Sequence, residues 1–552
     1  MHSATVKLSD RIHTDVLVIG GGLAGQRAAI AARANGAQVA MVYPSRGASP
    51  FIIGCNAPLA HENEEDSPQA YFDDTVQGGY RLNDRRLVEV LAHGAADGIH
   101  ELVDIGMPLA RSGENFSQRH LSGNRYARSV YHPNGFGAKA VALLAKYCDS
   151  IGVSVLSGRK ATYLLHDNGE VCGALTLRRG TCEFTPVLAR AVVLACGGLG
   201  QLFSDSTYPP DVSADSYALA LESGATLIDM EFVQFEPTVA CDPPALRGLE
   251  MPTAMLGDGA HLVNAGGERF MLRYNPQFAE KRMEKARLSL CIQKEIDEGR
   301  GFPQGGVLFD TTKVPPDRLE SYVTHCRRMR AAGIEPAREG VQVRPAAHSQ
   351  MGGIQIDQNA WTGVPGLYAG GEAAGGVHGA SRLAGNGSSD AMVFGAVAGR
   401  SAVAGLSSAK ARDWSSTIAA AVTALQSQTF VAEGSTADEI KAAIRRVMSE
   451  SAGIYRSEAG LSKGMQALSA LGSMIENRMC LATGADSSAA LEAKNMVLAG
   501  KCVMVAALAR KESRGAHQRL DYPQLDDANF LAHLGIRRGS NGEPVISTVP
   551  IA

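Results

Sequence analysis

The 552-residue chain lacks what a spanning helix needs: no stretch reaches about 18 uninterrupted apolar residues. A secretory leader is not expected either, since Met1-His2-Ser3-Ala4-Thr5-Val6-Lys7 does not read as a basic head followed by an apolar core. Its ten cysteines are scattered without a Cys-x-x-Cys pair. That spacing excludes an iron–sulfur cluster or a structural zinc built from cysteines of this chain alone, and reduced thiols in a cytoplasmic protein are expected. An excess of one charge is missing too. Lys plus Arg number 53 and Asp plus Glu 56, a net charge of −3, which argues against nucleic acid or an anionic membrane surface as main partner. No repeat and no low-complexity linker breaks the chain.

What remains is an ordinary globular composition, 45% apolar and 20% charged, long enough for roughly three or four structural units. Glycine stands out, with 61 residues in clusters, against a usual share of about 7%. The first cluster follows the apolar run Asp15-Val16-Leu17-Val18-Ile19. Gly20-Gly21-Gly22-Leu23-Ala24-Gly25 then passes into an Ala-rich stretch to Asn35, before a second apolar run, Gln38-Val39-Ala40-Met41-Val42. Strand, glycine turn, helix and strand make a βαβ unit. Gly20 makes the turn, Gly22 lets backbone N–H groups approach a pyrophosphate, and Gly25 lets the helix pack on the strand. Tyr43 stands where an acidic residue would hold a ribose, so ribose recognition must come from elsewhere.

Two more apolar runs end in glycines. One is Ala191-Val192-Val193-Leu194-Ala195-Cys196-Gly197-Gly198-Leu199-Gly200; the other is Gly366-Leu367-Tyr368-Ala369-Gly370-Gly371-Glu372. Three such junctions predict one nucleotide site assembled from distant pieces, with Glu372 suited to hydroxyls of a ribose or ribityl chain. Residues 236–345 are more polar and read as an inserted cap. From about 405 to 535 the chain is Ala-rich with helical period, followed by an irregular tail from Gly539.

Longer motifs then accumulate. They include Glu64 with Asp66-Ser67-Pro68, Asp74-Thr75, Gly78-Gly79 and Leu82-Asn83-Asp84. Met230-Glu231-Phe232-Val233-Gln234-Phe235, Gly267-Glu268-Arg269-Phe270-Met271 and His348-Ser349-Gln350-Met351-Gly352-Gly353-Ile354 follow. His378-Gly379-Ala380-Ser381-Arg382-Leu383-Ala384-Gly385-Asn386 and Glu512-Ser513-Arg514-Gly515-Ala516-His517 complete the set. In these the chain resembles, over nearly its whole length, the flavoprotein subunits of fumarate reductase and succinate dehydrogenase, with their relative L-aspartate oxidase.

The resemblance implies an α/β fold: a Rossmann-like FAD-binding domain (1–235 and 346–404), an inserted α+β capping domain (236–345), and a C-terminal helical domain with tail (405–552). It implies FAD as cofactor, held by Gly20, Gly22, Gly25, Ala195, Gly197, Gly198, Glu372, Asn386, Ser388, Ser389 and His517. It also implies a hydride passed between flavin N5 and a carbon next to a carboxylate, with a cationic side chain of the cap moving the proton. His348 and Arg382 match positions that hold a substrate carboxylate, and a planar guanidinium suits that task.

Elsewhere the chain departs from the family. Where the family reads Gln-Phe-His-Pro-Thr, this chain has Gln234-Phe235-Glu236-Pro237-Thr238, and the family's Thr-Glu pair becomes Pro252-Thr253. Counting back from Glu295-Ile296 puts Lys285 at the catalytic arginine's place, flanked by Arg282 and Arg287, and counting does not choose among the three. Glu236 beside a dianion costs Coulomb energy unless it is protonated or paired with one of these cations. A substrate with one carboxylate therefore fits better, unless Glu236 merely pairs with Arg287 to hold the cap. In Arg46-Gly47-Ala48-Ser49, Ala48 replaces the histidine that bonds FAD in respiratory members, so FAD is expected to be non-covalent. No metal site is expected.

Two electron routes stay open. One is an iron–sulfur partner subunit, which would bring association with a membrane through partners; the other is a soluble acceptor. The readings that compete are therefore the catalytic subunit of a fumarate reductase-like system with a small carboxylate as substrate, an oxidase of the L-aspartate oxidase type, and a flavin-bearing electron-transfer subunit with another substrate.

Overall fold

The computed structural model describes residues 2–3, 7–281, 283–406, 414–426, 429–430, 434–477 and 487–551. Its central parallel sheet has the order Ser154–Ser157, Val39–Tyr43, Val16–Ile19, Ala191–Leu194, Leu367–Ala369. Runs of Val, Leu and Ile suit strands covered on both faces, and every residue of Val16–Ile19 and Ala191–Leu194 is buried. The three strands that end in glycine clusters are neighbours and parallel. Segments as distant as Gly20 and Glu372 therefore meet beyond the same carboxyl ends, where open parallel sheets bind ligands.

Helix Leu23–Ala34 leaves the first strand and packs on helix Asn386–Ala404. A Cβ on Gly395 would lie 2.4 Å from the Ala24 carbonyl oxygen, and one on Gly399 would lie 2.1 Å from that of Ala28. Contacts in step along both helices mean that they run parallel, backbone against backbone. Their N-termini therefore open at the same end of the sheet.

Beside this lies an antiparallel meander, Arg159–Asp167, Glu170–Arg178 and Glu183–Leu188, joined by Lys7–Leu8 and Ile12–His13. A third sheet runs Val233–Asp242, Val341–Gln350, Val307–Asp310, His261–Val263. It carries its own core, with Met251, Phe270, Ile292, Phe309 and Val343, separate from the main one. The boundaries expected at 236 and 345 fall inside its two long paired strands, which run unbroken from the FAD-binding part into the cap.

The C-terminal helices Ser415–Gln426, Ala437–Ser451, Glu458–Asn477 and Ser487–Ala509 have no such independence. Ile440, Ile444, Leu461, Leu468 and Val503 belong to the same buried cluster as the parallel sheet. The tail differs from the irregular segment expected. His533–Arg538 and Pro544–Val549 form a hairpin, and the first of these strands pairs with Leu227–Ile228. Its outer strand is short and largely exposed, so it presents no apolar periodicity to read. Among the described residues no helix is long and apolar enough to cross a membrane.

Candidate active site

At the first glycine junction, Gly20 has a φ of +134°, and a Cβ there would lie 2.1 Å from the Ala195 carbonyl oxygen. Only glycine allows both that dihedral and that approach between two strands. A Cβ on Gly25 would meet the Gly20 carbonyl at 2.0 Å, so this residue fixes how closely the helix follows the turn. Gly22 caps the helix without a side chain, and the Ser49 hydroxyl accepts from the Leu23 N–H at 2.9 Å. At the second junction Gly198 lies against Glu372, whose carboxylate a Cβ would approach to 2.7 Å.

Glu372 accepts from the Tyr208 hydroxyl and from the Gln350 N–H at 2.9 Å, and burial pushes its carboxyl above the ordinary value. Tyr217 donates to its carbonyl at 2.8 Å. Asn386, Ser388 and Ser389 open the long helix. Asn386 Oδ1 accepts from Tyr71 and Asn56 at 2.9 and 2.8 Å, Ser388 donates to the Gly54 carbonyl and Ser389 to that of Asn56, both at 2.7 Å. These side chains are spent on fastening the helix start, which leaves its backbone N–H groups and dipole to face an anion. Two parallel helix N-termini over glycine turns, with the Glu372 carboxylate just beyond the strand Leu367–Ala369, suit the phosphates and hydroxyls of a dinucleotide.

His517 belongs elsewhere. Its Nδ1 accepts from Arg456 at 2.8 Å and its Nε2 meets the Arg510 carbonyl at 3.1 Å. Burial holds it well below its ordinary pKa, with the neighbouring arginines adding to the effect. With both ring nitrogens taken, it braces buried arginines and has no free nitrogen for a cofactor. The expected Glu512–Arg514 pair is present at 2.7 Å.

The third sheet builds the other end of the site. Gln234 pairs with Ser349 and Phe235 with Ala347, so His348 is the extra residue of a bulge. Such a bulge re-aims a side chain, and His348 Nε2 comes to 3.8 Å from the fully buried Glu236 carboxylate on the neighbouring strand. Its Nδ1 is 3.0 Å from the Thr207 hydroxyl. Burial lowers His348 to about 3, so the ring is neutral near pH 7 and Arg382 alone supplies the charge of the expected pair. Lys285 opens helix Lys285–Asp297 and bonds to Glu236, with Glu250 at 3.8 Å from the same ammonium.

A cation at a helix N-terminus is disfavoured by the macrodipole. Two carboxylates 4 Å apart would repel by about 4 kcal/mol at an effective dielectric of 20. Lys285 between Glu236 and Glu250 offsets both. Burial still raises Glu236 to about 7, although Lys285 pulls the other way. Glu250 is also subject to burial, yet Lys285 and its other positive neighbours hold it below the ordinary value.

Arg382 is the guanidinium of the expected carboxylate clamp. It acts electrostatically on Glu236, Glu250 and His348, but among the described residues it has no carboxylate within 4 Å, and its buried Nε has no partner. Glu236 Oε1 and Gln234 Oε1 are likewise buried without partners. Donor and acceptor capacity is thus left open within one cluster.

Of the three cap cations, the structure brings Lys285 into the cluster and leaves Arg287 outside it. The pairing of Glu236 with Arg287 is replaced by pairing with Lys285, because the first turn of the helix aims position 285, not 287, at the sheet. Arg282 lies outside the described residues. Thr253 precedes the short helix Ala254–Gly257 and has no side-chain hydrogen bond to the cluster among the described residues. Glu250, Tyr208 and Tyr217 escape sequence reasoning: Glu250 sits in an irregular segment that returns beside strand Val233–Asp242, bridged to Val239 and held by the Met251 N–H to Thr238 carbonyl bond at 2.7 Å. Glu236, Glu250 and His348 bring three potential ligand atoms within 4.8 Å of one another, but the Lys285 ammonium already provides the charge that a metal ion would.

Residues 15–388 match the FAD binding domain family, and residues 441–552 match the fumarate reductase flavoprotein C-terminal family. A CoM/CoB fumarate reductase protein of Methanothermobacter marburgensis is 34% identical, over 94% of this chain and 96% of its own length. The chain belongs to the fumarate reductase/succinate dehydrogenase flavoprotein family. It is an FAD-dependent oxidoreductase. An L-aspartate oxidase of Caulobacter vibrioides is 31% identical, over 92% of this chain and 94% of its own. A solved quinol-fumarate reductase, described with menaquinol molecules, superposes with a TM-score of 0.90 at 28% identity, covering 99% of both chains. The FAD-binding architecture expected from the glycine clusters is therefore the family's own, and the glycine cradle and paired helix N-termini fit that cofactor.

Proposed function

We propose that this chain is the catalytic flavoprotein subunit of a fumarate reductase-like system, acting on the C–C bond next to the carboxylate of a small acid. The observation that carries this reading is Arg382, a guanidinium with a buried unpartnered Nε whose charge reaches Glu236 and His348 of the Lys285–Glu236–His348 cluster. Bound FAD supplies hydride exchange at N5 with the substrate carbon. Arg382 binds the carboxylate and draws electron density from the adjacent double bond, which preorganised charge does at little cost during reaction. Lys285, on the cap, holds the proton that the second carbon gains or loses, and Glu236 and Glu250 keep the ammonium in place. His348 acts as a neutral hydrogen-bonding group.

With Ala48 at the position of the bonding histidine, the FAD is held non-covalently, and an iron–sulfur partner receives or supplies the electrons, as the family resemblance implies. Anaerobically reduced holoenzyme, mixed with fumarate and with monocarboxylate enoates, tests the reading. Reoxidation by an enoate is expected in the native protein, with a loss of about 10²–10³-fold in Arg382→Ala. Failure of every enoate to reoxidise the flavin overturns it.

One observation favours a second reading. Glu236 and Glu250 suit the ammonium group of an amino acid, as in an oxidase of the L-aspartate oxidase type. Reduction of the flavin by an L-amino acid, followed by rapid reoxidation with oxygen, would select it.

A further inference from the structure

The active-site cluster is balanced before any substrate arrives. Above about pH 7, where Glu236 is ionised, Glu236 and Glu250 contribute two carboxylates, Lys285 and Arg382 two cations, and His348 is neutral. Lys285 is committed to both carboxylates, so among the described residues Arg382 is the one cation of the cluster with unfilled hydrogen-bonding capacity. That suffices for one substrate carboxylate. The orphaned oxygens of the cluster are acceptors: Glu236 Oε1, with Gln234 Oε1 nearby on the same strand, is buried and without a partner. A second substrate carboxylate placed there would bring acceptor against acceptor and like charge against like charge among buried groups, an arrangement that low-dielectric surroundings strongly disfavour. A group bearing N–H or O–H would satisfy the orphaned oxygen.

We propose that the preferred substrate is a monoanionic 2-enoate, or its saturated counterpart, with its one carboxylate at Arg382 and a hydrogen-bond donor (amide, hydroxyl or ammonium) presented to Glu236. The inference rests on the hydride-transfer reading above and specifies the substrate end of that site; the reaction itself is unchanged.

Fumarate and its monoamide, fumaramate, test it directly, since they share shape and double bond and differ in one terminal group. With reduced holoenzyme at pH 7.5, fumaramate should reoxidise the flavin with a kcat/KM at least tenfold above that of fumarate. Crotonate, which offers only a methyl group, should fall below fumaramate. Glu236→Gln removes the charge with little change of shape, and should shift the fumaramate-to-fumarate ratio at least tenfold towards fumarate.

Equal or better use of fumarate by the native protein, with both activities lost in Arg382→Ala, would overturn the inference and leave the hydride-transfer reading standing. Crotonate matching fumaramate would overturn the requirement for a donor. A substrate ratio unmoved in folded, FAD-loaded Glu236→Gln would remove Glu236 as its cause. If no enoate reoxidises the flavin, the parent reading fails first.

Discussion

Two buried charge clusters in this molecule use the same residue types to opposite ends. Behind the tail hairpin, Arg510 bonds to Asp229, Glu231 and Glu512 and to the carbonyls of Phe530 and Ala532. Arg514 reaches Glu512, Asp527 and the Tyr80 carbonyl, and Arg519 reaches Asp521 and the Ala507 carbonyl. Every one of the four fully buried guanidiniums there has carboxylate or carbonyl partners, and the bare atoms that remain among the described residues are Arg456 Nη2 and Glu231 Oε2. At the active site, Arg382 has no carboxylate partner among the described residues and Glu236 keeps a bare oxygen. A cluster in which every guanidinium is paired fixes structure, because each charge removed weakens the hold on its neighbours. An unsaturated one is unstable until something binds, and that deficit is what a substrate can use.

The comparison breaks most sharply at its catalytic side. Lys285→Met removes the ammonium proposed to carry the proton, and kcat should fall by about 10²–10⁴-fold. FAD content, read from flavin absorbance, should stay unchanged, because the glycine cradle lies on other elements. Turnover within tenfold of native would transfer the role to another group.

The paired cluster should answer in stability. Glu512→Ala takes one buried carboxylate from Arg510 and from Arg514 at once, and breaking a buried pair costs about 3–5 kcal/mol. Denaturant or thermal unfolding should show that loss. If Glu512→Ala unfolds like the native protein while losing activity, the cluster belongs to the site, and the contrast between the two regions dissolves.

How much of this is legible in the sequence follows from the same contrast. The glycine junctions are legible because sterics leave no alternative: Gly20, Gly25 and Gly198 each sit where a Cβ would collide with backbone or with Glu372. Lys285 is reachable by spacing along one helix, and Glu236 by its departure from a motif. Glu250 is not, because its approach to Lys285 depends on a loop returning across the cap sheet. His517 carries a motif without its surroundings, and only the positions of Arg456 and Arg510 show both nitrogens taken. The tail hairpin hides for another reason: its pairing with Leu227–Ile228 joins residues roughly three hundred positions apart, which no local period encodes.

The smallest expected effect sharpens the comparison from the active-site side. In the folded protein Glu236 titrates at about 7, against an ordinary value of 4.5, because burial outweighs Lys285. The folded state therefore binds more protons than the unfolded one between those values, so stability falls as pH rises from about 4.5 to about 7 and then levels off. Glu236→Gln removes the penalty. Relative to native protein, the variant should gain roughly 1–3 °C in Tm at pH 8 and nearly nothing at pH 5. A greater loss at pH 8 than at pH 5 would mean that the ion pair with Lys285 outweighs burial, making Glu236 part of the structural scaffold. A gain confined to high pH would show that the carboxylate is retained at a cost to stability, as expected of a group kept for its chemistry.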